Sequence, residues 1–145
     1  MDGNYQLQSF ERRTDGSMAA IRRIPRMKLE YQATRAIFVR WVGEYDSQYQ
    51  AALRDDSRTE LPIVVRGADG TYRRALGFRR ATFRNDVLFS YQPAPGTVIF
   101  AGYGATLEDP VLLPKDLDRN PGLRRTRDGF FLKLSYLFRM QAHHE

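Results

Sequence analysis

The groups in this chain that could do chemistry are few, and each sits where its chemistry would be hard to run. His143 and His144 are the only histidines, and with Glu145 they invite a metal-binding reading. Adjacent histidines do not readily share one ligand geometry, and a chain terminus supplies no second shell to orient them. A Ser-His-Asp triad would have to take its base from the same tail. Glu108-Asp109 and Asp55-Asp56 are neighbouring carboxylates in polar stretches. That is the pattern of solvated loop acids, and a glycosidase pair would instead be set across a sugar ring. Gly102-Tyr103-Gly104-Ala105 lacks the lysine and the helix of a phosphate loop. Cysteine is absent, which removes thiolate catalysis, disulfides and Cys-ligated metals in one step. The expectation is a protein that is not an enzyme, with no cofactor and no metal.

Charge raises a different possibility. Lys and Arg number 23 against 17 Asp and Glu, for a formal charge of +6. Arg22-Arg23, Arg73-Arg74, Arg79-Arg80 and Arg124-Arg125 could meet the phosphates of nucleic acid or lipopolysaccharide. They read as solubilising loop residues, because a single-strand-binding module interleaves its cations with aromatics on one sheet face. No nucleic-acid partner is expected.

The elements that must position these groups are strands. Phe130, Leu132, Leu134, Tyr136 and Phe138 fall on one side of an extended segment, and Phe131, Lys133, Ser135, Leu137 and Arg139 on the other. One side is apolar and ends in two aromatics; the other carries two cations and a hydroxyl. The same division recurs at Ile37, Val39, Trp41, Gly43 and Tyr45 against Phe38, Arg40, Val42, Glu44 and Asp46. Val87, Phe89 and Tyr91 again oppose Leu88, Ser90 and Gln92. Lys28 and Glu30 share the polar side of an earlier segment. Strands are expected over about 5–13, 17–33, 36–49, 86–92, 97–107 and 129–139, with Pro25 marking a bulge or an edge. Long loops are expected over 50–85 and 108–128, the first carrying a small hairpin around Ala68-Asp69-Gly70, and Asp128-Gly129 is read as the turn before the last strand.

These features give one all-β domain over residues 1–145, an antiparallel up-and-down meander of about six strands and part of a transmembrane β-barrel. Short links at 33–35 and 93–96 then lie at one end and the long loops at the other, as in outer-membrane barrels. The expected lipid-facing residues are Ile37, Val39, Trp41, Tyr45, Val87, Phe89, Tyr91, Phe130, Leu132, Leu134, Tyr136 and Phe138. The expected lumen-facing residues are Lys28, Glu30, Arg40, Glu44, Lys133 and Arg139. Trp41 reads as an anchor or packing residue, not as a sugar platform. No apolar run approaches the roughly 18 residues of a membrane helix. Met1-Asp2-Gly3-Asn4 does not open a signal peptide, so the chain is expected to belong to a longer exported protein.

Two stretches carry a resemblance. Phe89-Ser90-Tyr91-Gln92-Pro93-Ala94-Pro95-Gly96-Thr97-Val98 with Gly102-Tyr103-Gly104 form one, and Leu123-Arg124-Arg125 with residues 128–139 the other. Leu29-Glu30-Tyr31-Gln32 and Thr34-Arg35-Ala36-Ile37-Phe38 add to them. Over roughly Arg26 to Met140 the chain resembles the C-terminal end of large bacterial outer-membrane proteins. These join a family-9-like carbohydrate-binding domain to a β-barrel domain of unknown function. The resemblance implies an outer-membrane location, insertion by the barrel assembly machinery and a structural or transport-related role, and it implies no catalytic residues. The carbohydrate-binding domain and most barrel strands of that family have no counterpart here, and Met140 to Glu145 extends past the terminal aromatic. Expected partners are outer-membrane lipid and either the remaining strands of a parent barrel or further copies of this chain. The alternative is a soluble antiparallel barrel that turns the same apolar residues inward around a small apolar ligand.

Overall fold

A computed structural model describes residues 1–109 and 122–137. Among these there is no helix. Eight strands occur: β1 (Asp2–Glu11), β2 (Met18–Gln32), β3 (Ile37–Gln50), β4 (Val64–Arg66), β5 (Tyr72–Arg74), β6 (Phe78–Ala94), β7 (Thr97–Asp109) and β8 (Arg124–Tyr136). Six form one antiparallel sheet in the order β1-β2-β3-β6-β7-β8; β4 and β5 pair separately. The meander thus follows chain order, with the β4–β5 hairpin inserted in the link between its third and fourth strands.

Local chemistry explains the turns. Thr34 Oγ1 accepts from the backbone N–H groups of Ala36 and Ile37, each at 3.1 Å, which closes the β2–β3 link. Between β6 and β7 the turn tightens to Pro95-Gly96, with Ala94 opposite Thr97 and Gly96 at φ 87°. A left-handed conformation at that point suits glycine. The β4–β5 hairpin turns through Gly70 at φ 77°, while Asp69 Oδ1 accepts from the Thr71 N–H at 3.1 Å. The links 33–36 and 95–96 lie at one end of the sheet. The links 12–17 and 51–77 lie at the other, where β7 also ends at Asp109 and β8 begins at Arg124.

Several expected boundaries move. β6 starts at Phe78, so the first long loop is 51–77 and not 50–85. Its residues Phe78 to Asn85 hydrogen-bond to β3 from Gln50 to Gly43, so the ladder continues where apolar alternation has stopped. β7 runs to Asp109 and β8 begins at Arg124, which shortens the second loop. Asp128 and Gly129 pair with Ala105 and Gly104 inside the ladder and form no turn. β1 begins at Asp2 and ends at Glu11, earlier than expected. Pro25 marks neither bulge nor edge, for β2 is an interior strand. Its pairing to β3 lapses at Ile24 and Pro25 and resumes in the same register at Arg26–Glu44, consistent with one missing N–H donor.

The sheet has no conventional core. Ala81 and Ala105 are the buried apolar residues among those described, and no large side chain is fully buried. β1 and β8 stand at the edges of the sheet order.

Candidate functional site: two faces of one sheet

Opposed residues of an antiparallel pair share a face, so register sorts every strand residue to a side. Leu29, Trp41, Val87, Tyr103 and Phe130 stand side by side across five strands. The next row is Tyr31, Val39, Phe89, Ala101 and Leu132, followed by Ile37, Tyr91, Ile99 and Leu134. Tyr45, Phe83 and Leu107 form a row nearer the long loops, and Thr97 lies opposite Tyr136 near the short turns. Every expected lipid-facing residue within the described part is therefore on one face; Phe138 lies outside it.

That face is open. Phe130 is 88% exposed, Leu132 75% and Leu134 67%. From Ile37 to Tyr45 the apolar stretch is about 27 Å along the strand, or about 21 Å high at a tilt of roughly 40°, close to the ~25 Å apolar band of a membrane barrel. Its one amide is accounted for: Asn85 Oδ1 accepts from the Trp41 indole N–H. Gly43, opposite Asn85, makes room for the indole. A Cβ added there would sit 2.6 Å from Trp41 Cη2.

The reverse face is mixed and wet. Its rows include Lys28, Val42, Asp86 and Gly104; Glu30, Arg40, Leu88, Gly102 and Phe131; and Arg26, Glu44, Arg84, Thr106 and Arg127. Lys133 stands opposite Phe100 on the same side. All expected lumen-facing residues within the described part fall here; Arg139 lies outside it. Opposite charges pair across and along the strands. Arg22 makes two bonds to Asp46, at 3.0 and 2.6 Å; Lys28 Nζ is 2.8 Å from Glu30; Arg84 Nη1 is 3.3 Å from Glu44. Arg26, Lys28, Arg40 and Asp86 line an open groove of about 570 Å³ with Val42, Leu88 and Phe131. The Phe131 ring lies over Gly102, whose missing side chain it replaces.

Sequence reasoning missed two features. Most of the basic pairs were expected in loops; Arg22-Arg23 falls in β2, as the expected 17–33 strand has it, and Arg73-Arg74 in β5 of the small hairpin, but Arg79-Arg80 lies in β6 and Arg124-Arg125 in β8. A strand splits such a pair between its faces. The other feature is an ionic clamp that ties the 12–17 turn to the long loop. Arg54 Nη2 is 2.8 Å from Asp15 and its Nε 2.6 Å from Asp56, while Arg12 Nη2 donates to the Ala52 carbonyl at 2.8 Å.

No family model, no curated protein and no solved structure matches this chain. Among the described residues no cluster of His, Cys, Asp and Glu has the makings of a metal site, and His143-His144-Glu145 lie outside them.

The clamp should respond to acid. Bonds from the Ser57 hydroxyl and N–H, then from Thr59, pull the Asp55 carboxyl down to about 2. Asp15 is lowered mainly by the Ser17 N–H and hydroxyl and then by Arg54. A carboxyl whose folded pKa is depressed stabilises above its unfolded value of roughly 3.9 and loses that contribution as pH falls toward the folded value. Hydrogen exchange of residues 51–61, taken relative to the intrinsic amide rate at each pH, should therefore be constant from pH 7 to about 4 and rise between about 4 and 2. A rise centred at neutral pH would contradict the assignment.

Proposed function

We propose that the chain is a segment of an outer-membrane β-barrel protein, structural or transport-related and without catalytic activity. The observation that carries this reading is the continuous apolar face across the six-stranded sheet, exposed while almost nothing is buried. In water such a face is a large unsolved exposure; against lipid it is what a spanning strand presents. The mixed-charge reverse face suits a water-filled lumen, and the grouping of long links at one end suits an outer surface. The resemblance of the 89–104 and 123–139 stretches to outer-membrane barrels points the same way. Two unpaired edges within a bilayer would each leave roughly ten backbone groups without partners, at about 2 kcal/mol or more apiece. The reading therefore requires partner strands, from a longer parent or from copies, with assembly by the barrel machinery.

Expression behind an export leader, membrane fractionation and protease shaving of intact cells test it. Cleavage within 51–77, with the six strands protected in an outer-membrane fraction, is the expected result. A soluble, detergent-free, uniformly protected monomer would overturn it and favour the inward-facing barrel around an apolar ligand.

A further inference from the structure

The mixed face does not satisfy all of its own charge. The acids around its middle rows are taken: Lys28 lies 2.8 Å from Glu30, Arg84 lies 3.3 Å from Glu44 and Arg22 lies 2.6 Å from Asp46. The side chains of Arg26 and Arg40 have no hydrogen-bond or ion-pair partner among the described residues, although Glu44 stands opposite the first and Glu30 opposite the second. The Asp86 carboxylate is likewise without one. All three line the open groove of about 570 Å³, together with Lys28.

Register sets out the groove. Its cations come from β2 and β3 and its acid from β6. Lys28, Val42 and Asp86 share a row, which puts the Lys28 and Asp86 backbones two strand spacings, or about 10 Å, apart. Arg26 lies one row toward the long loops and Arg40 one row toward the short turns, so the two arginines flank that row. Beyond Asp86 the row continues to Gly104, where an added Cβ would lie 2.8 Å from the Asp86 carboxylate; glycine leaves that oxygen its room. Val42, Leu88 and Phe131 supply apolar lining between the charges.

Even with Lys28 spent on Glu30, two cations remain against one carboxylate, so the groove favours an anion. Guanidinium groups bind a carboxylate through parallel N–H bonds. Asp86 can only accept when ionised, so across from the bound carboxylate it calls for a donor. An ammonium donor would be repelled by the cations that hold the carboxylate, whereas a hydroxyl would not.

We infer that Arg26, Arg40 and Asp86 bind a small hydroxylated organic carboxylate, of the sugar-acid class, with the arginines on its carboxylate and Asp86 on a hydroxyl. The inference rests on the barrel reading for its place alone: there the groove faces the lumen, and a solute crossing the barrel would meet it.

The test uses the chain folded in neutral maltoside micelles at low ionic strength, where exposed charges are least screened. Galacturonate, galactose and butyrate are the probes, and ligand-observed NMR titration gives their affinities. Galacturonate should bind about tenfold or more tighter than either of the others, since galactose lacks the carboxylate and butyrate the hydroxyls. Arg26→Gln with Arg40→Gln should weaken galacturonate about tenfold or more. Asp86→Ala should bring galacturonate and butyrate to within about threefold of each other, a ratio that a general change in charge would not move. Arg124→Gln with Lys133→Gln removes the same charge from the same face outside the groove and should leave binding within about threefold. Equal losses in the two double variants would overturn the site, since the attraction would then be diffuse. Galactose or butyrate bound as tightly as galacturonate would overturn the ligand class. A chain that reaches the outer membrane with residues 51–77 cleavable, yet holds no galacturonate, would sink this inference and leave the barrel reading standing. A detergent-free soluble monomer that binds galacturonate through these residues would sink the barrel reading and leave the groove.

Discussion

Leu134→Arg should impair assembly into the membrane, while Lys133→Ala, one residue away, should leave assembly near wild type. The two side chains are adjacent in β8 but on opposite faces: Leu134 is opposite Ile99 in the apolar rows, and Lys133 opposite Phe100 on the mixed face. Leu134 stands in the Ile37 row, at the short-turn end of the apolar band, so an arginine there should cost somewhat less than the roughly 2–4 kcal/mol of the bilayer midplane. Leu134 is 67% exposed, so in water the same substitution removes little packing and should fall within about 0.5 kcal/mol. The membrane and soluble-barrel readings thus give different outcomes. If the apolar face is instead the interior of a soluble barrel, Leu134→Arg becomes a buried unpaired charge and the soluble protein itself fails to fold. Outer-membrane fractionation of the two variants, with a soluble-fraction control, separates these cases. Equal defects at both positions would remove the membrane reading.

Gly43→Val should destabilise the folded sheet by about 1–3 kcal/mol, the range for forcing extra carbon into an occupied site. A strand glycine is ordinarily a weak point that valine would improve. Here the sign reverses, because an added Cβ would lie 2.6 Å from the Trp41 ring at both Cη2 and Cζ2. The ring must rotate away, and the Asn85 amide then loses the indole donor on the apolar face. Trp41 is the single tryptophan, so its emission reports the event directly. Urea unfolding of the detergent-folded protein should show a lower midpoint together with a shifted native spectrum. Gly129→Val serves as the control: nothing lies within 4 Å of its would-be Cβ, so stability should hold or rise. Parallel losses at both glycines would mean that backbone freedom, and not the ring, decides the effect.

The strands that cross the apolar band were legible because period-two alternation is strong there. Ile37 to Tyr45, Val87 to Tyr91 and Phe130 to Tyr136 are placed by the register on the faces that alternation predicts. The first half of β6 was not legible. Arg79-Arg80-Ala81-Thr82 has no apolar stripe, since beyond the band neither face needs one; β3 pairs with all four, and β7 joins from Ala81 onward. For the same reason Asp128-Gly129 read as a turn: its composition is turn-like, but Ala105 and Gly104 are waiting opposite it. The paired arginines were evident as residues, but their division between faces depended on extending the strands through them. The Arg12–Arg54 clamp had little local signal, because the bonds that tie the 12–17 turn to the long loop join residues about forty positions apart in sequence.

Strand parity limits how this sheet can be completed. Six alternating strands leave β1 and β8 running in opposite directions. The edges are therefore already antiparallel to each other, and a strand set that bridges them must contain an even number of members. A second copy satisfies this without adjustment: its β1 meets the first copy's β8 antiparallel, with every long loop on the same rim. An odd insertion would force a parallel seam into an otherwise antiparallel wall.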